Sequence, residues 1–171
     1  PKRTVELLQW ILEHDNGITN FHFEIAADIT TEEELAIMEK MRPGLIQLEI
    51  GVQSTNPKTV EAIHRTMDLK KLEKIVSRVK SFGNIHQHLD LIAGLPYEDV
   101  NSFQKSFDDV YAMRPDQLQL GFLKVLKGSG MREDAPGYGI NWHERAPYEV
   151  LTTDWLSYGD VLLLKGVEDM V

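Results

Sequence analysis

The sequence contains no cysteine. That excludes disulfides, a thiolate nucleophile and an iron–sulfur cluster held by thiolates of these residues. Long apolar runs are missing too: none reaches the ~20 residues of a membrane span, so no membrane is expected. Positive charge is scarce, with 18 Lys and Arg against 27 Asp and Glu, a formal net charge of −9. Such a balance argues against the phosphate backbone of a nucleic acid as the main partner. The chain opens on a helical pattern rather than on a secretory signal, and the cytoplasm is the expected location. What is present is 171 residues, 42% of them hydrophobic, enough for a domain with a sizeable core. Six histidines keep a histidine–carboxylate metal site open.

Periodicity organises the chain. In "KRTVELLQWILEHDNG" Val5, Leu8, Ile11 and Leu12 fall at helical spacing, with Gly17 as the expected C′ residue. "NFHFEI" reads as a strand. "TTEEELAIMEKMRPG" begins with a capping box, Thr31 with Glu34, and stops at Pro43–Gly44. "LIQLEIGVQS" is a second strand, and "NPKTVEAIH" a short helix with Asn56 as cap and Pro57 at N1. Asp68 caps a longer helix that Gly83 ends. "IHQHLDLIAGLP" is a third strand, "SFQKSFDDVYAMRPD" a helix and "QLQLGFLKVL" a fourth strand. Residues 127–147 read as loop, and "PYEVLTTDWLSYGDVLLLKGVEDMV" as a return to helix, with Ser157 and Asp160 as a cap pair. Alternating helices and strands predict an α/β fold with a parallel sheet and right-handed crossovers.

Side chains two apart on a strand share a face. His22 and Glu24 share one on the first strand. On the second, Gln47, Glu49, Gly51 and Gln53 share one, opposite Ile46, Leu48, Ile50 and Val52. His86, His88 and Asp90 share a face on the third strand, and Gln117 and Gln119 on the fourth. An open sheet covered by helices on both sides would make both faces apolar. Four strands of an incomplete TIM-barrel-like sheet, followed by a C-terminal helical extension, would instead let the polar face line a lumen. Plainer roles compete: His22 as an ordinary buried histidine, Glu49 as the structural partner of a neighbouring-strand histidine. Asp90, in mid-strand, is the hardest to leave without a role, since an unpaired buried carboxylate is costly.

The stretches "LEIGVQS…HR", "HLDLIAGLP" and "RPDQLQL", in this order, resemble the C-terminal half of a radical S-adenosylmethionine core domain. The nearest patterns are the oxygen-independent coproporphyrinogen dehydrogenase-like branch and the cobalamin-associated branch. The resemblance covers about residues 1–131, with 132–171 as a loop and helical extension like that of the cobalamin-associated group. It implies a partial βα barrel with adenosylmethionine bound by Glu24, Gln53, Arg65, Asp90 and the backbone of Ile92. Arg65 would clamp the methionine carboxylate, Asp90 would accept from the ribose hydroxyls, and Lys124 matches an adenine-side position loosely. The family's C-x3-C-x2-C loop follows its first strand and holds a [4Fe–4S] cluster. Here the chain starts after the second strand. The expectation is therefore a piece of a longer radical enzyme, inactive alone, whose whole would carry the cluster and, on the second branch, cobalamin.

Two other classes stay open. A metal-dependent hydrolase could use His86, His88, Asp90 and Glu24. A non-catalytic interaction domain would carry a decayed site. With the barrel incomplete, the first strand, "NFHFEI", is expected at an open sheet edge, which invites a homodimer.

Overall fold

The computed structural model describes residues 2–171. Among the described residues seven α-helices and six strands follow one another: α1 Lys2–Glu13, β1 Phe21–Ile25, α2 Glu32–Met38, β2 Ile46–Gln53, α3 Pro57–Ala62, α4 Leu69–Phe82, β3 His86–Ala93, α5 Val100–Ala112, β4 Gln117–Phe122, α6 Gly130–Asp134, β5 Asn141–Trp142, β6 Val150–Thr152 and α7 Tyr158–Glu168. The four longer strands form one parallel sheet in the order β1-β2-β3-β4, which does not close on itself. Strands β5 and β6 form a small antiparallel pair. Among the described residues no helix is long and apolar enough to cross a membrane.

The helix boundaries follow the capping chemistry of the sequence. Thr31 and Glu34 close a reciprocal capping box on α2, and Ser157 and Asp160 close another on α7. Asn56 accepts from the Lys58 amide at α3, ahead of Pro57 at N1. Asp68 caps α4, and Gly83, in the left-handed region, ends it. Other boundaries differ from expectation. Gly17 is not the C′ residue of α1, because the helix stops at Glu13 and an Asp15–Asn16 turn intervenes, both side chains accepting from the following amides. Helix α2 stops at Met38, five residues short of Pro43.

The larger departure lies in the extension. Residues 147–156 are not helical: β6 occupies Val150–Thr152, and Lys124 bridges Glu149 in antiparallel fashion. The regular ladder of β4 ends at Phe122, and the chain beyond it pairs with this returning segment through Val125 N–H to the Tyr148 carbonyl. The expected loop also contains the short helix α6, capped by Ser129.

The chain divides into two compact units. The first runs from the N-terminus to Gly51 and adds Met67–Leu89 and Met113–Gln117. Its helices α1 and α2 pack together, and its core includes Leu8, Ile11, Leu35, Leu48, Leu72 and Val76. The second comprises Val52–Thr66, Asp90–Ala112 and Leu118–Val171. Its core includes Leu91, Phe103, Val110, Val125, Val150 and Leu156. There Gly94 has φ +89, and a Cβ on it would come within 2.6 Å of a Val150 methyl. Both the backbone and the close approach of β6 thus require glycine at that position.

Candidate functional site

Alternation of the strands is written in their burial. On β2, Ile46, Leu48, Ile50 and Val52 are buried, while Gln47, Glu49, Gly51 and Gln53 are half-buried. On β3, Leu89, Leu91 and Ala93 are buried, and Asp90 and Ile92 half-buried. On β2 and on the C-terminal half of β3 the polar groups therefore lie on the less buried face, while His88, earlier on that face of β3, is buried.

The second unit contains four of the five expected binding residues: Gln53, Arg65, Asp90 and Ile92. They come from neighbouring strands β2 and β3 and from the end of α3. Gln53 ends β2 in an unusual way. Its φ is +68, and the Ser54 N–H donates to the Val52 carbonyl at 2.9 Å. A bond across a single residue of positive φ is the rarer and more strained form of γ-turn. The Gln53 side-chain carbonyl oxygen is buried and has no hydrogen-bond partner among the described residues. Strain and an unmet acceptor at one residue are features that cluster where ligands bind.

Arg65 is placed by the end of α3. Its N–H bonds back to the Val60 carbonyl, and that of His64 to the Glu61 carbonyl, both at 3.0 Å. His64 is left-handed, at φ +55. This is a Schellman ending with histidine in the usual glycine position. It turns the chain sharply and places Arg65 two residues past the C-cap Ile63, half-buried.

Past Gln53 lies a buried polar cluster for which the sequence carries no signal. Glu98, in the turn after β3, is fully buried, as are Ser54 and Ser106. One Glu98 oxygen accepts from the Ser54 hydroxyl at 2.5 Å and from the Ser106 hydroxyl at 2.9 Å. Each serine oxygen in turn accepts a backbone N–H at 3.0 Å, Ser54 that of Asn56 and Ser106 that of Thr55. The other Glu98 oxygen is buried without a hydrogen-bond partner among the described residues. Burial pushes the Glu98 carboxyl up to about 7, against the two serine hydrogen bonds that pull it down. Further contacts tie the same segments: the Asn56 amide donates to the Tyr97 carbonyl at 2.8 Å, and the Thr59 hydroxyl to the Pro96 carbonyl at 2.9 Å.

The fifth expected residue, Glu24, belongs to the first unit. There it stands opposite Glu49 in the β1–β2 register. His22 Nε2 meets Glu49 at 2.8 Å, so Glu49 has the neighbouring-strand histidine partner foreseen as its structural role. A cleft of about 270 Å³ opens beside β1, lined by Glu24 and by apolar residues including Leu8, Phe23, Ile29 and Met38. The histidine pair of the hydrolase alternative does not form a metal centre. His86 is exposed while His88 is buried, and among the described residues no three His, Asp or Glu side chains come together to hold a metal ion.

Comparison with known proteins bears on the family and the fold. A family model described as "Protein of unknown function (DUF4080)" covers residues 136–171. The oxygen-independent coproporphyrinogen-III oxidase-like protein HemZ of Bacillus subtilis is 32% identical over 120 residues, 68% of this chain and 23% of that protein. The chain spans about a quarter of the length of the curated relatives it matches, 23% in the coproporphyrinogen III oxidase of Salmonella typhimurium. The solved structure of the Escherichia coli coproporphyrinogen III oxidase HemN, a radical SAM enzyme, superposes with TM-score 0.62 at 22% identity, over 74% of this chain and 29% of that one. The radical S-adenosylmethionine methyltransferase TsrM of Kitasatospora setae, solved with cobalamin and a [4Fe–4S] cluster, superposes with TM-score 0.67 at 14% identity, over 90% of this chain and 32% of that one. In sequence and in fold together, the chain resembles part of the core domain of radical S-adenosylmethionine enzymes.

Proposed function

We propose that this chain is the adenosylmethionine-holding part of a radical S-adenosylmethionine oxidoreductase, with Gln53, Arg65, Asp90 and the backbone of Ile92 on the ligand. The observation that carries the reading is Gln53: a strained turn at a strand end with a buried, unmet acceptor, in the unit that also contains Arg65 and Asp90. The residue types suit the ligand. An arginine fork pairs in bidentate fashion with a carboxylate such as that of methionine. A half-buried aspartate accepts strongly from ribose hydroxyls, and the Gln53 oxygen accepts from an amine or an exocyclic amino group. Glu24 is part of the proposal, supported by the resemblance of "FHFEI" to the family's strand.

The cluster is a different matter. With no cysteine, these residues offer no thiolate to iron, and no step of the chemistry is assigned to them through it. Bound adenosylmethionine would supply the radical precursor in the whole protein; the residues here bind it, orient it and shield it from water. Cobalamin and a cytoplasmic location for the whole protein go with this reading. For cobalamin the support is the fold likeness to the methyltransferase.

Calorimetric titration of the full-length protein with S-adenosylmethionine tests the proposal. Arg65→Ala and Asp90→Ala should each weaken binding by about 1.5–3 kcal/mol, the cost of losing a hydrogen bond to a charged group. Lys58→Ala, on the exposed first turn of α3, should change nothing. Equal affinity in wild type and both site variants would refute the assignment, and no binding by any of them would favour a decayed interaction domain.

A further inference from the structure

The strained turn at Gln53 needs something to hold it, because relaxing φ out of the left-handed region would relieve the strain. The neighbouring residues show what does. Ser54 immediately follows the turn, and its oxygen accepts the Asn56 N–H while its hydroxyl proton goes to Glu98. Thr55 is fixed in the same way through Ser106, which also donates to Glu98. Two consecutive backbone N–H groups past β2 are thus satisfied by two hydroxyls, and both hydroxyls are aligned by one carboxyl oxygen. Removing that oxygen frees both hydroxyls to rotate and leaves a void at a fully buried position.

We propose that Glu98 is a positioning residue for the adenosylmethionine site: through Ser54 and Ser106 it locks the β2 exit, and so keeps Gln53 in the left-handed turn with its acceptor oxygen available to the ligand. The inference rests on the function proposed above. Glu98 does not touch the ligand in this account. It acts only through the two serines, and an amide oxygen at the same place can accept the same two hydroxyl protons.

The test titrates S-adenosylmethionine into the full-length protein at a temperature where every variant is folded, with melting temperatures measured alongside. Glu98→Ala and Ser54→Ala should each lose about tenfold or more in affinity, whereas Glu98→Gln should stay within about threefold of wild type. Asn84→Ala is the control for a merely structural loss. Its buried amide donates to the Met38 and Met41 carbonyls at 3.0 and 2.8 Å, so removing it lowers the melting temperature but should leave affinity unchanged. If Glu98→Ala does not fold, Ser54→Ala, which removes one hydroxyl, carries the test alone. Wild-type binding with unchanged affinity in Ser54→Ala and in any folded Glu98→Ala overturns the positioning role and leaves the proposed function standing. Loss in Glu98→Gln as deep as in Glu98→Ala also overturns the role. No binding by wild type overturns the function, and the positioning role with it.

Discussion

Replacing Glu98 by glutamine should remove a specific loss of stability that sets in as pH rises from about 4.5 to about 7. In the folded protein burial raises this carboxyl from its ordinary 4.5 to about 7, the Ser54 and Ser106 hydrogen bonds opposing and the charge of Asp99 assisting. Between those two values the folded state binds a proton that the unfolded state has released. Stability therefore falls as pH rises through that window, and the loss is complete above about 7. At about 1.4 kcal/mol per unit, the difference corresponds to roughly 3 kcal/mol. Asp15, held low chiefly by Arg42, and Asp160, held low chiefly by Ser157, act in the opposite sense. Their contribution is present above the ordinary carboxylate range and lost as pH falls. Both are the same in wild type and variant, so they cancel in the difference. Urea unfolding of the two proteins at pH 5 and pH 8, at fixed ionic strength, reads that difference directly. Wild type should lose about 2–3 kcal/mol relative to Glu98→Gln between the two conditions. A difference constant to within about 0.5 kcal/mol would mean that Glu98 titrates as an ordinary carboxyl, and would refute the reasoning.

Two further outcomes follow from the fold. The 171-residue chain, reconstituted anaerobically with iron and sulfide, should show no [4Fe–4S] absorbance and form no 5′-deoxyadenosine; a reproducible cluster spectrum would overturn the alignment with the family. The same chain should self-associate through β1, an edge strand of its sheet, in a unit that also exposes Leu7, Trp10, Ile18 and Ile29. Light scattering over a dilution series should give a mass that falls toward the monomer, and a monomer at every concentration would contradict it.

The parts of the fold set by local chemistry are legible in the sequence. Strict alternation in "IQLEIGVQ" forecast the burial of β2 residue by residue, because a period of two leaves a side chain no choice of face. Thr31, Asn56, Asp68 and Ser157 marked helix starts, because a cap is a bond between near neighbours in sequence. What escaped depends on distant partners. "PYEVLTT" reads as the start of a helix, yet Val150 and Thr152 are β-branched, and the chain past β4 gives this segment a strand to pair with. The Glu98 cluster joins residues 44 positions apart, and an isolated "YED" after a Gly-Leu-Pro turn looks like an ordinary wet loop. The left-handed backbone of Gln53 has no sequence signal either, since nothing in a glutamine announces positive φ. The clearest conflict between local preference and structure thus sits at the residue proposed to meet the ligand.

Hydrogen-exchange mass spectrometry of the full-length protein, with and without S-adenosylmethionine, puts the central claim to its most direct test. Ligand held as proposed should slow exchange in peptides covering Gly51–Asn56, His64–Thr66 and Asp90–Leu95, and leave the exposed face of α4 between Lys70 and Ser81 unchanged. Saturating ligand with no protection in those three segments, or with protection confined to other parts of the chain, would contradict the claim that these residues hold adenosylmethionine.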